Sequence, residues 1–243
     1  MTKERLEDIY GENKGIVIVG GKKYYFKRND AYVELLAEQI AALFQLKHAH
    51  YETVKVGGDS YYLSKDLNDE GSFATAQDFG IIDSHIKVIE NFICMHFPQQ
   101  AERLIEQLMK MFFMDLLVLN VDRSNDNWGF LLTPDGVINI CVLDNDLSFI
   151  HETSVMTSLS DNYYCRSMEE IRNIFETFPE EYINMFIKMY DLLDLKKLEE
   201  IIKLVEEKIG MKLPYKNNYY GRYYTLREKI KGLIEEKKHN LMV

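Results

Sequence analysis

The sequence of 243 residues has few of the features that define several protein classes: only 3 cysteines, 4 prolines and no long unbroken apolar run. Its longest apolar segment, MFFMDLLVLNV, is interrupted by Asp115, which argues against a membrane-spanning helix. The first residues, MTKERLEDIY, hold neither an apolar signal core nor an Arg-rich transit pattern. Cys94, Cys141 and Cys165 form no CxxC pair, so we expect reduced thiols, no metal bound by cysteine and a cytoplasmic location.

Positive charge is also scarce. The chain has 29 Lys and Arg against 39 Asp and Glu, a net charge of −10. This balance disfavours a broad nucleic-acid-binding surface, so any phosphate site must be built locally. The composition is 47% hydrophobic, which is sufficient for a large core in one domain or two lobes.

The hydrophobic period changes near residue 85. Before it, short β-type runs form two predicted hairpins that flank one helix, and Asp30 is the expected N-cap of that helix. After it the pattern is mainly helical, with one hairpin formed by WGFLL, the turn TPDG and VINICVLD. We predict an α+β fold with a small lobe over residues 1–67 and a helical lobe over residues 68–243.

Several helices of the second half carry end signals. Asp194 is suited to begin a helix and Gly210 to end it. Two other places fit the capping box, a hydroxyl residue followed three positions later by glutamate: Ser167 with Glu170, and Thr225 with Glu228. The tyrosine-rich segment PYKNNYYGRYYTLREK could stack on single-stranded nucleic acid, but the acidic net charge favours packing against the last helix.

A polar loop, NVDRSNDNWGFLL, lies between a predicted helix and the hairpin. It contains Asp122 and Asn127, and the far end of the same hairpin carries Asp144 and Asp146. Because antiparallel strands return the chain beside its start, Asn127 and Asp144 should lie close together. Carboxylate and amide oxygens are ligands that Mg²⁺ accepts, with phosphate oxygens and water completing the octahedron. Asp146 is either a third ligand or a turn cap.

Two other interpretations of this loop were weighed. Asp and Asn between a helix and a strand often form only a capped turn. Alternating Asp122, Ser124 and Asp126 also match the start of an EF-hand, but Asn127 and Thr133 stand where that loop needs glycine and glutamate. The order of the other polar residues along the chain favours a nucleotide site over a capped turn or an EF-hand.

That order is the order of parts in a protein kinase. Asp122 and Asn127 have the Asp-x-x-x-x-Asn interval of kinase catalytic loops, and Asp144 follows after one hairpin. Upstream, Lys27 ends the strand YYFK, and either Glu34 or Glu38 on the next helix could pair with it. A loop with Gly11, Lys14 and Gly15 precedes the first predicted strand and suits phosphate contact.

The chain resembles the HipA-like serine/threonine kinases and, more distantly, the lipid kinases that share the broader kinase fold. The resemblance rests on YYFKRND, ELLAEQIAALFQL, NVDRSNDNWGFLL and VLDNDLSF, in that order. It implies a two-lobed protein-kinase-like fold with ATP and Mg²⁺ as cofactors. No full GxGxxG and no Ala-Pro-Glu segment is present, which departs from ordinary protein kinases.

The resemblance also implies roles for individual residues. It makes Asp122 the catalytic residue, Asn127 and Asp144 the Mg²⁺ ligands, and Lys27 the contact to the phosphates. It favours Glu34 as the partner of Lys27, because Ala41 follows seven positions later as in the family; Glu38 is then expected to face solvent. The backbone of Lys65, Asp66 and Leu67 would meet adenine.

The expected activity is phosphoryl transfer to a serine or threonine of a protein, including the chain itself. A small-molecule kinase of the aminoglycoside-phosphotransferase type and a nucleotide-binding pseudokinase are the alternatives. The sequence lacks the N-terminal domain of longer HipA-like toxins and a helix-turn-helix signal, so an antitoxin partner is expected to be a separate chain. HETSVMTSLSDNYY, after Asp144, is expected to be a polar surface loop.

Overall fold

The structure is a computed structural model that describes residues 12–28, 32–56, 58–82, 85–118, 120, 123–145, 148, 172, 175–213 and 216–240. In chain order its elements are β1 (Lys14–Val19), β2 (Lys22–Arg28), α1 (Tyr32–Leu43), β3 (Lys47–His48), β4 (Tyr51–Val56), β5 (Asp59–Lys65), a 3₁₀ turn (Leu67–Asp69), β6 (Ser72–Thr75), α2 (Ile86–His96), α3 (Ala101–Val118), β7 (Trp128–Leu132), β8 (Ile138–Val142), α4 (Glu180–Leu192), α5 (Leu195–Ile209) and α6 (Lys216–Asn240). A β-rich N-terminal part is followed by a mainly helical part, so the predicted two-lobed α+β class is confirmed. Residue 67, the expected lobe boundary, begins the 3₁₀ turn, and the boundary itself stays a prediction.

The first sheet has the strand order β1-β2-β5-β4, in which both predicted hairpins are present. Gly20 and Gly21 join β1 to β2 with φ values of 60° and 80°. Two successive left-handed residues match the twist of a two-residue hairpin, and glycine adopts them without a Cβ penalty. One face of the sheet buries a small cluster of apolar side chains: Val17, Phe26, Val56, Tyr61 and Leu63.

Helix α1 connects the two hairpins and is packed into the main core. Val33, Leu36 and Ile40, which recur at helical spacing, are all buried. The main chain leaves the helix at Gln45, whose φ is 59°. The expected N-cap, Asp30, lies outside the described residues.

The second sheet has the order β3-β8-β7-β6, of which the sequence predicted only the β7–β8 hairpin. Its turn is confirmed, since the Gly136 N–H donates to the Thr133 carbonyl at 2.9 Å. β6 adds antiparallel to β7, and β3 adds parallel to β8. Strands of four and two residues are too short to show an alternating pattern, which is why sequence inspection missed them.

The part of β8 that β3 leaves unpaired is covered by two glutamine side chains, Gln100 just before α3 and Gln107 within α3. The Ile138 N–H donates to Gln100 Oε1 at 3.0 Å, and the Ile140 N–H donates to Gln107 Oε1 at 2.8 Å. These side chains take the place of a neighbouring strand and satisfy backbone donors that would otherwise be unpaired. The hairpin is therefore fixed against α3 as well as within its sheet.

The ends of α5 follow the sequence signals. Asp194 accepts a hydrogen bond from the Lys197 N–H at 2.7 Å, and Gly210 ends the helix with a φ of 70°. The expected start at Thr225 is wrong, because α6 runs through this position and Thr225 Oγ1 donates to the Gly221 carbonyl at 2.9 Å. A hydroxyl residue three positions before a glutamate also occurs in helix interiors. Here the helix begins at Lys216, well before Thr225, so the pair marks no helix start. The Ser167 signal lies outside the described residues.

From Lys216 onwards, the tyrosine-rich segment forms the first turns of α6. Tyr223 is buried and donates its hydroxyl hydrogen to the Leu193 carbonyl. Arg227 lies 3.7 Å from the ring centre of Tyr190, a cation–π contact between α6 and α4. The expectation of a connector packed against the last helix is therefore wrong, because residues 216–229 belong to that helix, and Tyr223 packs it against the end of α4. Among the described residues, no helix combines the length and apolar character needed to cross a bilayer.

Candidate active site

A cleft of about 340 Å³ lies between the two sheets. Its first wall comes from β2, β4 and β5, and its second from β6 and from the ends of β7 and β8. The lining is largely apolar, with charged and amide groups at some positions: Tyr25, Lys27, Ala49, Tyr51, Ser64, Lys65, Asp66, Leu67, Asn68, Phe73, Thr75, Asp126, Asn127, Leu143 and Asp144. The structure therefore brings together six residues that the sequence nominated from separate segments: Lys27, Lys65, Asp66, Leu67, Asn127 and Asp144.

Lys27 is the residue that connects the two walls. Its Nζ lies 2.7 Å from Glu34 Oε1 and 2.5 Å from Asp144 Oδ1. Odd-numbered residues of β2 face the cleft, so Tyr25 and Lys27 line it together. The pairing of Lys27 with Glu34 rather than Glu38 is observed, as the sequence favoured.

Charge and burial act in opposite directions on Lys27. Burial alone would lower its pKa, but the carboxylates of Glu34 and Asp144 outweigh burial and hold the pKa above its ordinary value. Lys27 is thus an ammonium ion at neutral pH. Glu34 is fully buried, and desolvation raises its pKa while the Lys27 charge opposes that rise.

Glu34 also holds the segment that carries Asp144. Its second oxygen, Oε2, accepts a hydrogen bond from the Asn145 N–H at 2.9 Å. Asp144 has a φ of 36°, a left-handed conformation that is unfavourable for a residue with a Cβ. The bond to Glu34 helps to keep this turn in place, so one buried carboxylate fixes both the lysine and the chain beside the acidic residue.

Arg123 is a site residue that sequence reasoning missed. Its guanidinium is fully buried, lies 2.9 Å from Asp115 Oδ1, and donates to the Asn127 carbonyl at 2.6 Å. It also donates to the Leu143 carbonyl and to Asn145 Oδ1. Arg123 therefore ties α3 to both strands of the β7–β8 hairpin, at the start of β7 and at the end of β8. The available signal was Asp115, a single acidic residue in an otherwise apolar stretch, since a buried carboxylate requires a partner.

Asn127 and Asp144 occupy the same end of the hairpin. The Leu143 N–H donates to the Asn127 carbonyl at 2.9 Å, which extends the β7–β8 pairing by one position. Both side chains line the cleft. This is the juxtaposition that antiparallel pairing predicted.

The predicted adenine segment forms the connection from β5 to the 3₁₀ turn. Lys65 ends β5, Asp66 accepts a hydrogen bond from the Asn68 N–H at 3.0 Å, and Leu67 is buried. Lys23 of β2 reaches across to Asp66 at 3.3 Å. The segment is thus fixed against the first sheet while it lines the cleft.

The predicted phosphate loop is only partly described. Lys14 and Gly15 belong to β1 and not to a loop, which corrects the predicted bounds of that loop. Lys14 pairs with Lys27, so both side chains project from the same face of the sheet, whereas Gly15 pairs with Phe26 on the opposite face. Gly11 lies outside the described residues.

Three further expectations concern residues outside the described part of the chain: Asp122, Asp146 and the polar segment 151–164. The expectation that Glu38 faces solvent is wrong. Glu38 is only 4% exposed, and its Oε1 lies 2.5 Å from His50 Nδ1. The reason is that α1 is enclosed on several sides, so a residue one turn from a buried position is buried as well.

The donor set suits Mg²⁺. Among the described residues no group of three or more His, Cys, Asp or Glu side chains could hold a metal by itself. Asn127 and Asp144 would offer one amide and one carboxylate oxygen at the cleft wall. Because Mg²⁺ is commonly held by few protein oxygens together with phosphate and water, two such side chains fit the group.

Comparisons with known proteins bear on the fold. No protein-family model and no curated protein matches the chain. Among solved structures, the Helicobacter pylori proinflammatory kinase CtkA is similar with a TM-score of 0.65 and 16% identity, over 93% of each chain. A chain of the Shewanella oneidensis MR-1 toxin–antitoxin complex of HipA, HipB and operator DNA is similar with a TM-score of 0.50 and 12% identity, over 97% of this chain and 71% of that one. The protein therefore has a protein-kinase-like fold.

Proposed function

We propose that the protein is an ATP- and Mg²⁺-dependent phosphotransferase that transfers the γ-phosphoryl group to serine or threonine hydroxyls of a protein. The single observation that carries the proposal is the pair of contacts from Lys27 to Glu34 and Asp144 at the cleft. These residues come from β2, α1 and the end of β8, and a buried carboxylate that orients a lysine towards an acidic residue is the arrangement phosphoryl transfer needs.

In this proposal Lys27 binds the phosphates of the nucleotide. Its ammonium charge is secured by the raised pKa, and Glu34 fixes its direction. The apolar part of the cleft, which includes Leu67 and Leu143, receives the base. The backbone of residues 65–67, which lines the same cleft, would recognise the edge of the base.

Asn127 and Asp144 would hold the metal, which when bound supplies positive charge to the transferring phosphoryl group. Arg123 keeps the two side chains at one end of the hairpin through its bonds to the carbonyls of Asn127 and Leu143. Fixed ligands of this kind need no reorganisation during the reaction.

Asp122 would receive the proton of the acceptor hydroxyl, a role that rests on its spacing to Asn127. The hydroxyl oxygen forms a bond to the γ-phosphorus, and the bond from that phosphorus to the bridging oxygen of ADP breaks. The proton passes to the carboxylate and then to solvent. Phosphorylation of the chain itself is part of the proposal, and a separate antitoxin-like partner stays a prediction.

The test is incorporation of label from γ-labelled ATP with Mg²⁺, into the protein itself and into a generic protein substrate. The variants Lys27→Met, Asp122→Asn and Asp144→Asn should each lower incorporation by about 10²–10³-fold, the usual loss when one charge-stabilising group is removed. Lys22→Met on the same strand and Asp135→Asn at the far end of the hairpin are the matched controls, since both residues are exposed.

Label on phosphoserine or phosphothreonine that depends on all three residues would support the proposal. Equal labelling of the wild type and the three variants would overturn it. Nucleotide-dependent thermal stabilisation without any turnover would also overturn it, and would identify a binding module. A labelled small molecule without phosphoprotein would exclude the protein acceptor.

A further inference from the structure

A second buried carboxylate, Glu38, lies one turn along α1 from Glu34 and forms a charged cluster of its own behind Tyr51, with residues that do not line the cleft apart from Tyr51. Glu38 Oε1 is 2.5 Å from His50 Nδ1, and Glu38 Oε2 accepts the Tyr51 N–H at 3.4 Å. Lys208, in the last turn of α5, lies 3.7 Å from Glu38 Oε2. We define Glu38, His50, Tyr51 and Lys208 as the rear cluster.

Lys208 has two contacts in this cluster, and the one to the main chain is shorter than the one to Glu38. Its Nζ donates to the Tyr51 carbonyl at 2.7 Å. The rear cluster therefore holds both polar groups of the Tyr51 peptide backbone, with the N–H on Glu38 and the carbonyl on Lys208. A residue from the helical part of the chain thus fixes the first residue of β4.

Tyr51 connects the rear cluster to the cleft. Its side chain is 6% exposed and is one of the cleft-lining groups. Burial raises the pKa of its hydroxyl well above the ordinary value, and the nearby charge of Glu34 adds to the rise. The ring of Tyr51 therefore lies beside the carboxylate that orients Lys27, while its backbone lies in the rear cluster.

We propose that Glu38 and Lys208 are positioning residues for the site, which set the direction of Glu34, and through it of Lys27, by fixing α1 and Tyr51 against α5. This inference rests on the proposed function for its kinetic consequence. The positioning of Lys27 itself can be tested without measuring turnover. Two physical links carry it: the helical backbone between Glu34 and Glu38, and the Tyr51 residue that both carboxylates contact.

The chemical assignment follows from burial. Glu38 is 4% exposed, so its charge needs a cation or several donors, and Lys208 supplies a charge while the Tyr51 N–H supplies a donor. The side chain of Lys208 is 31% exposed, so it lies at the edge of the core, and a methionine there removes the charge while it keeps much of the volume.

The first test measures the reactivity of the Lys27 amine with isotopically labelled acetic anhydride, read peptide by peptide by mass spectrometry. If Lys208→Met releases Glu34, the Lys27 amine loses the contact to Glu34 Oε1 that now holds it at 2.7 Å, and the amine becomes more accessible to the reagent. We expect acetylation of Lys27 to become at least about threefold faster, because a hydrogen bond to a charged group contributes more than that ratio requires.

The matched control is Lys203→Met on the same helix, whose side chain is 61% exposed and pairs only with Glu199 among the contacts described, at 3.5 Å. Lys208→Arg should restore slow acetylation, because arginine keeps the charge and the donors. Glu38→Gln is a second variant with the same expectation, and thermal unfolding confirms that each variant is folded.

The second test is the rate of phosphoryl transfer by the folded variants. Lys208→Met should lower kcat more than it raises KM for ATP, because a misdirected Lys27 stabilises the transferring phosphoryl group less well. Unchanged Lys27 acetylation in both Lys208→Met and Glu38→Gln overturns the inference. A wild type without turnover overturns the proposed function alone, and faster acetylation of Lys27 in the variants would still support the positioning role.

Discussion

Replacing Arg123 by methionine is the most informative single change for the architecture of the site. The guanidinium is fully buried and bonded to the carboxylate of Asp115, itself 1% exposed. It also donates to carbonyl oxygens at the start of β7 and at the end of β8. Methionine preserves much of the volume and removes the charge together with all donors.

The expected loss of stability follows from what remains. Removing one partner of a buried ion pair costs about 3–5 kcal/mol, because the other charge stays buried without compensation. The free energy of unfolding of a typical protein is about 5–15 kcal/mol, so Arg123→Met should remove a large share of it. Asp115→Asn in the same chain eliminates the uncompensated charge and should recover part of the loss.

Urea unfolding followed by tryptophan fluorescence is the suitable assay. Trp128 is the single tryptophan of the chain, is fully buried, and begins β7 next to Asn127. Its emission therefore reports on the hairpin that Arg123 holds. The midpoint for Arg123→Met should fall markedly, and that of the double variant should lie between the two.

Lys203→Met provides the comparison for an ordinary surface pair. Lys203 lies 3.5 Å from Glu199, both side chains are about half exposed or more, and such pairs contribute about 0.2–1 kcal/mol. A loss below about 1 kcal/mol for Arg123→Met would refute the assigned role, because it would equal that of a surface pair. Strictly additive losses from Arg123→Met and Asp115→Asn would refute the coupling between them.

Three other changes test separate features of the structure. Asp194→Ala should destabilise the protein by about 1 kcal/mol through the lost N-cap, whereas Thr225→Ala in the interior of α6 should cost little; equal losses in chemical denaturation would contradict this contrast. Burial raises the pKa of Cys141 to about 12, above an ordinary thiol value of about 8.5, so its thiol stays protonated and shielded between these values in the folded state. At pH 8.5 iodoacetamide should label Cys94 and spare Cys141 until urea unfolds the chain, as peptide mass spectrometry will show. The free energy of unfolding should also fall as the pH rises from about 8.5 towards 12. Gly129→Ala should disrupt the β6–β7 pairing, because a Cβ there would come within 2.2 Å of a backbone oxygen of β6; unchanged thermal stability would refute that close approach.

Several parts of the site could be predicted because they depend on local pattern. The strand that ends near Lys27, the helix that carries Glu34 and the turn at Gly136 all follow from period and turn chemistry. Antiparallel return then predicts that Asn127 and Asp144 share one end of a hairpin. Each of these inferences needs only residues that are near in sequence or that belong to the same pair of hydrogen-bonded strands.

Other parts depend on contacts between distant segments, which no local pattern encodes. Glu34 and Glu38 are both glutamates of α1, and both are buried. They differ only in the neighbours that packing brings to them, which are Lys27 for Glu34 and His50 and Lys208 for Glu38. The choice of Lys27 for Glu34 was favoured by family resemblance, while the partners of Glu38 had no signal at all.

The sequence by itself determined the three hairpins, the helix that carries Glu34, the order of the polar residues and the proximity of Asn127 to Asp144, since hydrogen-bond ladders and helical period act over short chain distances. Only the tertiary structure decided that Arg123 binds both strands of the β7–β8 hairpin and that Lys208 reaches Tyr51 across 157 positions. The physical reason is desolvation. A buried charge needs a partner, and which partner it finds depends on which surfaces the whole chain brings together.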